Sequence, residues 1–169
     1  MNLPKIITEE NYYLPNPTLQ FVSLDGVPVT EATYIEEANK LILSEKVPLD
    51  VREIFETAKA LYMYGYLYWT FFTVAHDYAF RALELAIKLK LEERQTEVPN
   101  KLSKKIDKLF EIGLITETEK SIYHGIRVMR NQFAHPSYQS QTGHNIEIIS
   151  YLCSSINKLF EKDNDKKNN

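Results

Sequence analysis

Ala60-Leu61-Tyr62-Met63-Tyr64-Gly65-Tyr66-Leu67-Tyr68-Trp69-Thr70-Phe71-Phe72-Thr73-Val74-Ala75 carries no charged residue, and its reading decides the fold. Sixteen residues fall short of the roughly 20 needed to span a bilayer, and Tyr, Thr and Gly dilute the apolar character. A buried or interface helix is the better account. Helical periodicity continues on both sides, from Asp50 to about Glu93. One straight helix of that length would run roughly 60 Å, too long for a compact domain of this size. Gly65 is the expected place for a bend. Before it, Ile54, Phe55, Ala58, Leu61 and Tyr62 form one apolar stripe; after it, Phe71, Phe72, Ala75, Tyr78, Ala79, Ala82, Leu83, Ala86 and Ile87 form another.

Outward from this centre, the N-terminal 30 residues hold Pro4, Pro15, Pro17 and Pro28, which exclude a long helix there. Leu19 to Thr30 alternates around Asp25-Gly26, the signature of a short hairpin. A first helix is expected from Glu31 to Ser44 on Ile35, Ala38, Leu41 and Ile42, stopped by Val47-Pro48. Asp50 with Glu53 reads as a capping box for the next helix. Asn100 is placed to cap a short helix over 101–112 that Gly113 ends. Thr116 with Glu119 repeats the capping box for a helix over 117–134, and a last amphipathic helix covers 145–162. The chain is therefore expected to be all-α, a bundle of five to six helices. Its division is a 1–30 arm, a 31–162 helical domain and a disordered 163–169 tail.

Composition narrows the function classes. The chain has 169 residues, 44% hydrophobic and 25% charged, with 11 Tyr, 8 Phe and 1 Trp to fill a core. One cysteine, Cys153, excludes an internal disulfide and any cysteine-based metal cluster. With no signal-peptide pattern in the first residues, a reducing, cytoplasmic setting is expected. Net charge is −3, so any nucleic-acid contact must rest on local charge.

The chemistry-bearing residues gather late in the chain. On a helical wheel of the 117–134 segment, Ile122, Ile126, Met129 and Phe133 share the face expected to form core. His124, Arg127, Asn131 and His135 share the opposite face, with Arg130 on the border. A guanidinium offers paired donors to a phosphate, and an imidazole moves protons near neutral pH. His135, at a helix C-terminus, would feel the negative end of the helix dipole. By spacing alone the same residues are ordinary helix-end caps.

The stretch Arg127-Val128-Met129-Arg130-Asn131-Gln132-Phe133-Ala134-His135-Pro136 resembles the signature of the HEPN superfamily, an Arg-Asn-x3-His element closing a late helix. The aromatic helix running into Arg81-Ala82-Leu83-Glu84 and the Leu102 to Ile115 helix-and-turn resemble it too, so the likeness spans roughly 50–160. The resemblance implies a helical bundle that dimerises with its motifs facing a shared cleft. In active members it implies a metal-independent endoribonuclease, in which the ribose 2'-OH attacks the adjacent phosphate. Carried over, His135 would be the acid-base residue, Arg130 the stabiliser of developing charge and Asn131 a positioning group. Arg127 and His124 would support them, with Glu84 an acidic partner for Arg130. A toxin or antiphage-defence role with a protein antitoxin belongs to the same implication, although Tyr138 stands three residues after His135 where such toxins often place it two after. Some family members have no demonstrated cleavage. The alternative is thus a noncatalytic module of this fold that binds nucleotide, RNA or a protein.

Other patterns carry less. Lys101, Lys104, Lys105 and Lys108 form a basic stripe that would suit an RNA backbone or simply face solvent. His76-Asp77 resembles half of a metal site, but four histidines leave too few further ligands, so no metal or other cofactor is expected. His76 is expected at the edge of the bundle. Ser155-x-x-Lys158 lacks any accompanying hydrolase motif, and the five glycines form no phosphate loop. For the aromatic stretch, burial comes first, a dimer interface second and a base-stacking platform third.

Overall fold

The computed structural model describes residues 5–21, 23–24, 26–133 and 143–161. A 3-10 turn, Pro17–Phe21, leads into a two-stranded hairpin, β1 (Ser23–Leu24) and β2 (Val27–Pro28). Among the described residues six helices follow: α1 (Glu31–Asn39), α2 (Leu49–Tyr64), α3 (Thr70–Glu93), α4 (Leu102–Glu111), α5 (Glu117–Phe133) and α6 (Glu147–Glu161). The fold is an all-α bundle. Leu24 pairs with Val27 across the hairpin, and Gly26 takes a φ of +79° that suits glycine in the tight turn.

The charge-free stretch breaks rather than bends. Helix α2 ends at Tyr64, and Gly65 to Trp69 reverse the chain so that α3 packs back along α2, the most extensive helix pairing in the bundle. Gly65 is needed for closeness, since a Cβ there would collide with the Phe72 ring. The ring of Phe72 lies 5.3 Å from that of Tyr62 and 5.2 Å from that of Tyr34 on α1, with Trp69 stacked edge-on at 5.3 Å. Burying Phe72, Tyr62 and Tyr34 stabilises the fold by about 1.5–3 kcal/mol per ring. The N-terminal arm completes the break. The Asn16 backbone amide donates to the Tyr66 carbonyl at 2.8 Å and Lys5 Nζ to the Leu67 carbonyl at 3.2 Å, satisfying acceptors in the turn between α2 and α3.

Three local expectations need correction. Helix α1 stops at Asn39 instead of Ser44, because Leu41 to Ser44 leaves the helix, with Leu41 and Leu43 buried and Ile42 71% exposed. Asn157 of α6 holds it there, donating to the Ile42 carbonyl at 2.9 Å and accepting from the Ser44 amide at 2.8 Å. Helix α2 begins at Leu49 after Pro48 and has no side-chain cap, so the Asp50/Glu53 box does not form. Helix α4 begins at Leu102 with Lys101, not Asn100, at its N-cap and again no side-chain cap. At α5 the expected box is present: the Thr116 amide donates to Glu119 Oε2 at 2.8 Å and the Glu119 amide to Thr116 Oγ1 at 3.2 Å.

His76 is also corrected. It lies wholly buried on α3, with Nε2 3.0 Å from the Asn145 carbonyl. Burial lowers its pKa, against the opposing pull of hydrogen bonds to backbone carbonyls. Beside it, the His144 ring packs edge-on to Tyr34, Trp69 and Phe72. The start of α6 is thereby tied to the α2–α3 aromatic cluster. Among the described residues no helix is long and apolar enough to cross a membrane. The expected 163–169 tail lies outside the described residues.

Candidate functional site

Helices α4 and α5 form a hairpin that leans on α3. Gly113, at φ +71°, ends α4, with the Leu114 amide reaching back to the Leu109 carbonyl at 2.9 Å in the manner of a Schellman turn. The Thr116 box then starts α5 in the opposite direction. Only one side of α5 is covered, and that side presents Tyr123, Ile126, Arg127 and Arg130 at i, i+3, i+4 and i+7. Tyr123 is 3% exposed, whereas Ile122 is 39% and Met129 37% exposed. The expected orientation is therefore corrected: Ile122 and Met129 face out, Ile126 is only partly buried, and Arg127 turns in. Phe133, the fourth expected core residue, has a side chain outside the described set. The reason lies in the arginine stems, whose methylenes cover apolar surface as well as a short aliphatic chain does while the charge stays at the rim.

These residues line a cleft with Phe80, Leu83, Glu84 and Ile87 of α3 and Leu102 and Ile106 of α4. Its free volume is about 10 Å³, enough for one water molecule, so a ligand must sit at its mouth rather than inside. At that mouth Glu84 lies 3.8 Å from Arg130 and 3.8 Å from Lys105. The Arg130 and Glu84 side chains are each about one-third exposed, while that of Lys105 is 10% exposed. Arg127 Nε is shielded from solvent and has no hydrogen-bond partner among the described residues. Asn131, the next residue after Arg130, is exposed. His135 lies outside the described residues.

A family model described as a domain of unknown function, DUF4145, matches residues 78–169, more than half of the chain. The chain belongs to the DUF4145 family. No curated protein and no solved structure matches it. The DUF4145 match begins within α3, so it takes in Glu84, Lys105, Arg127, Arg130, Asn131 and His135 and leaves out the arm, α1 and α2. The cleft is wholly a feature of the DUF4145 part.

A second concavity of the DUF4145 part, about 510 Å³, is lined by Lys104, Asp107, Lys108, Glu111 and Lys120 with Glu97, Pro99 and Phe110. Beside it, Asp107 gathers three basic side chains: His124 Nε2 at 3.2 Å, Lys120 at 3.5 Å and Lys104 at 3.8 Å. Partial burial raises the Asp107 carboxyl, but the hydrogen bonds and charges of His124 and Lys120 outweigh it and hold the group below its ordinary range. The structure thus places His124 on Asp107, apart from the Glu84 cluster. It also divides the lysine stripe. Lys104 pairs with Asp107, Lys105 with Glu84 and Lys108 with Glu111, and Lys101 stands exposed at the α4 N-cap.

Sequence reasoning missed that Lys105 joins Glu84. The signal was present: Leu102, Lys105, Ile106 and Leu109 repeat the i, i+3, i+4, i+7 pattern of one buried helix face. Among the described residues, no group of three or more His, Cys, Asp or Glu is placed to hold a metal ion.

Proposed function

We propose that this DUF4145 protein is a HEPN-type endoribonuclease that cleaves RNA by attack of the ribose 2'-OH on the adjacent phosphate. The observation that carries the reading is Arg130, turned to the mouth of the cleft and facing Glu84 at 3.8 Å, with the exposed Asn131 directly after it. A guanidinium so held gives two donors to a phosphate whose charge grows in the transition state. His135 supplies the proton transfers, and Asn131 orients the substrate. The protein works as a homodimer whose two motifs share a cleft. Exposed Ile122, Val128 and Met129 on the outer side of α5 support such a contact. The setting is the cytoplasm, in a toxin or defence role held in check by a protein partner.

The test is growth and RNA integrity on expression of wild type, His135→Ala and Arg130→Ala. Degraded RNA with wild type alone is expected. Equal, intact RNA in all three sinks the nuclease and leaves a noncatalytic binding module of the same fold. Sedimentation at tens of micromolar, where a working dimer would be populated, is expected to show twice the chain mass.

A further inference from the structure

Elsewhere among the described residues, the two other buried lysines sit close to a carboxylate. Lys59 is 2.9 Å from Glu56 and Lys90 is 3.1 Å from Glu93, each within hydrogen-bond reach. At the cleft mouth the arrangement differs. Lys105 and Arg130 each stand 3.8 Å from the single carboxylate of Glu84, beyond hydrogen-bond reach, and Arg127 lines the same cleft with its Nε unpartnered among the described residues. Among the described residues, two cations thus share one carboxylate and a third, Arg127, lines the same cleft, on a chain of net charge −3.

We propose that Lys105 and Arg127, with Arg130, form a binding site for a phosphate oxyanion at the mouth of the α3/α4/α5 cleft, a second anion position beside the phosphate that Arg130 engages. The proposal rests on the preceding reading in that it shares Arg130. Arg127 lies one helical turn from Arg130 on the same face, so the two guanidinium groups address neighbouring points along a ligand. Lys105 adds a point charge from α4, and Glu84 keeps it and Arg130 from turning away. Because the cleft holds only one water, the anion binds at the rim, where a polynucleotide backbone or a free nucleotide can reach it. The ligand chemistry is a phosphate next to another phosphate or to a sugar.

The experiment is titration calorimetry on the full chain with three probes: inorganic pyrophosphate, AMP, and an oligoribonucleotide fully 2'-O-methylated so that its 2'-oxygen cannot attack. Wild type is compared with Arg127→Gln, Lys105→Met and, as a control at the exposed C-cap of α1, Lys40→Met. Arg127→Gln should weaken binding about tenfold through loss of a charge-assisted bidentate contact. It should also flatten the salt dependence of oligonucleotide binding by about 0.7 in log–log slope, a change that a purely structural residue would not produce. Lys105→Met should do the same to a smaller degree, and Lys40→Met should bind as wild type does. Tight oligonucleotide binding with weak AMP binding assigns the site to an RNA backbone; the reverse assigns it to a free nucleotide.

Equal affinity and slope in wild type, Arg127→Gln and Lys105→Met overturn the proposal, as does wild type that binds none of the probes. Should Arg127→Gln fail to fold by circular dichroism, Arg127→Lys replaces it. It is expected to bind more weakly with an unchanged slope, and unaltered affinity there and in Lys105→Met overturns the site. Binding of the methylated probe needs no cleavage. If it is intact while ordinary RNA survives wild type, the nuclease reading alone has failed; RNA cleavage with Arg127→Gln binding as wild type does means that the second anion position alone has failed.

Discussion

The α2–α3 pair and the α4–α5 hairpin are both antiparallel helices of one bundle, yet they are built to opposite ends. Between α2 and α3 the contacts are aromatic and buried: Tyr62 and Phe72 are fully buried, Gly65 lets the chain close on Phe72, and His76 of α3 is buried as well. On the α4–α5 side the covered faces include Lys105, Arg127 and Arg130 among aliphatic residues, and the opposite face of α5 leaves Ile122, Val128 and Met129 exposed. Close packing gives the first pair its stability, since buried aromatic area is the largest favourable contribution available to a chain without disulfides. Incomplete packing gives the second its chemistry, because a charged group can meet a ligand only where the bundle leaves it at a rim.

That contrast can be broken by experiment. The largest effect is expected from Phe72→Ala, which opens a cavity under Gly65 and removes the centre of the aromatic cluster; chemical denaturation should show a loss of about 3–5 kcal/mol. A loss under 1 kcal/mol would mean that α2 and α3 are not the stabilising pair. Acidification comes next. His76 is held neutral in the folded state with its pKa below the unfolded value of 6.5, so the unfolded chain takes up the proton first. Stability attributable to His76 is complete above that value and falls as pH drops below it, levelling off under the folded pKa. Denaturation curves between neutral pH and pH 5 should show this slope in wild type and a shallower one in His76→Gln. The smallest effect belongs to the other pair. Glu84→Gln removes a carboxylate whose contacts are long and partly solvent-screened, and should cost about 1 kcal/mol or less while altering RNA-directed activity. A large stability loss there would place Glu84 in the scaffold instead of the site.

Periodicity and capping chemistry were enough to read a bundle of five to six helices, the hairpin at Gly26, the stop at Gly113 and the Thr116 cap, because each depends on residues within a turn of one another. The early end of α1 was not readable in this way. Its cause, Asn157, lies more than 110 positions downstream and competes for the backbone groups of Ile42 and Ser44. The orientation of α5 failed for a related reason. Hydropathy assigned Ile122 and Met129 to the core, but α3 and α4 cover the side that carries Tyr123 and the arginine stems. An amphipathic side chain satisfies both the wheel's polar face and a buried position, so its type alone does not say which face is inside.

By itself the amino-acid sequence determined the class of fold, the Gly113 stop and the Thr116 cap, and the residue types on which phosphate chemistry would have to rest. These follow from local sterics, hydrogen-bond capping and a charge-free centre too short for a membrane. Only the tertiary structure decided that Gly65 marks a full reversal, that His76 is buried, and that Glu84 gathers Lys105 and Arg130 from two other helices while His124 goes to Asp107. Those outcomes are set by which helix faces meet. That is a property of the packed bundle, and no single segment encodes it.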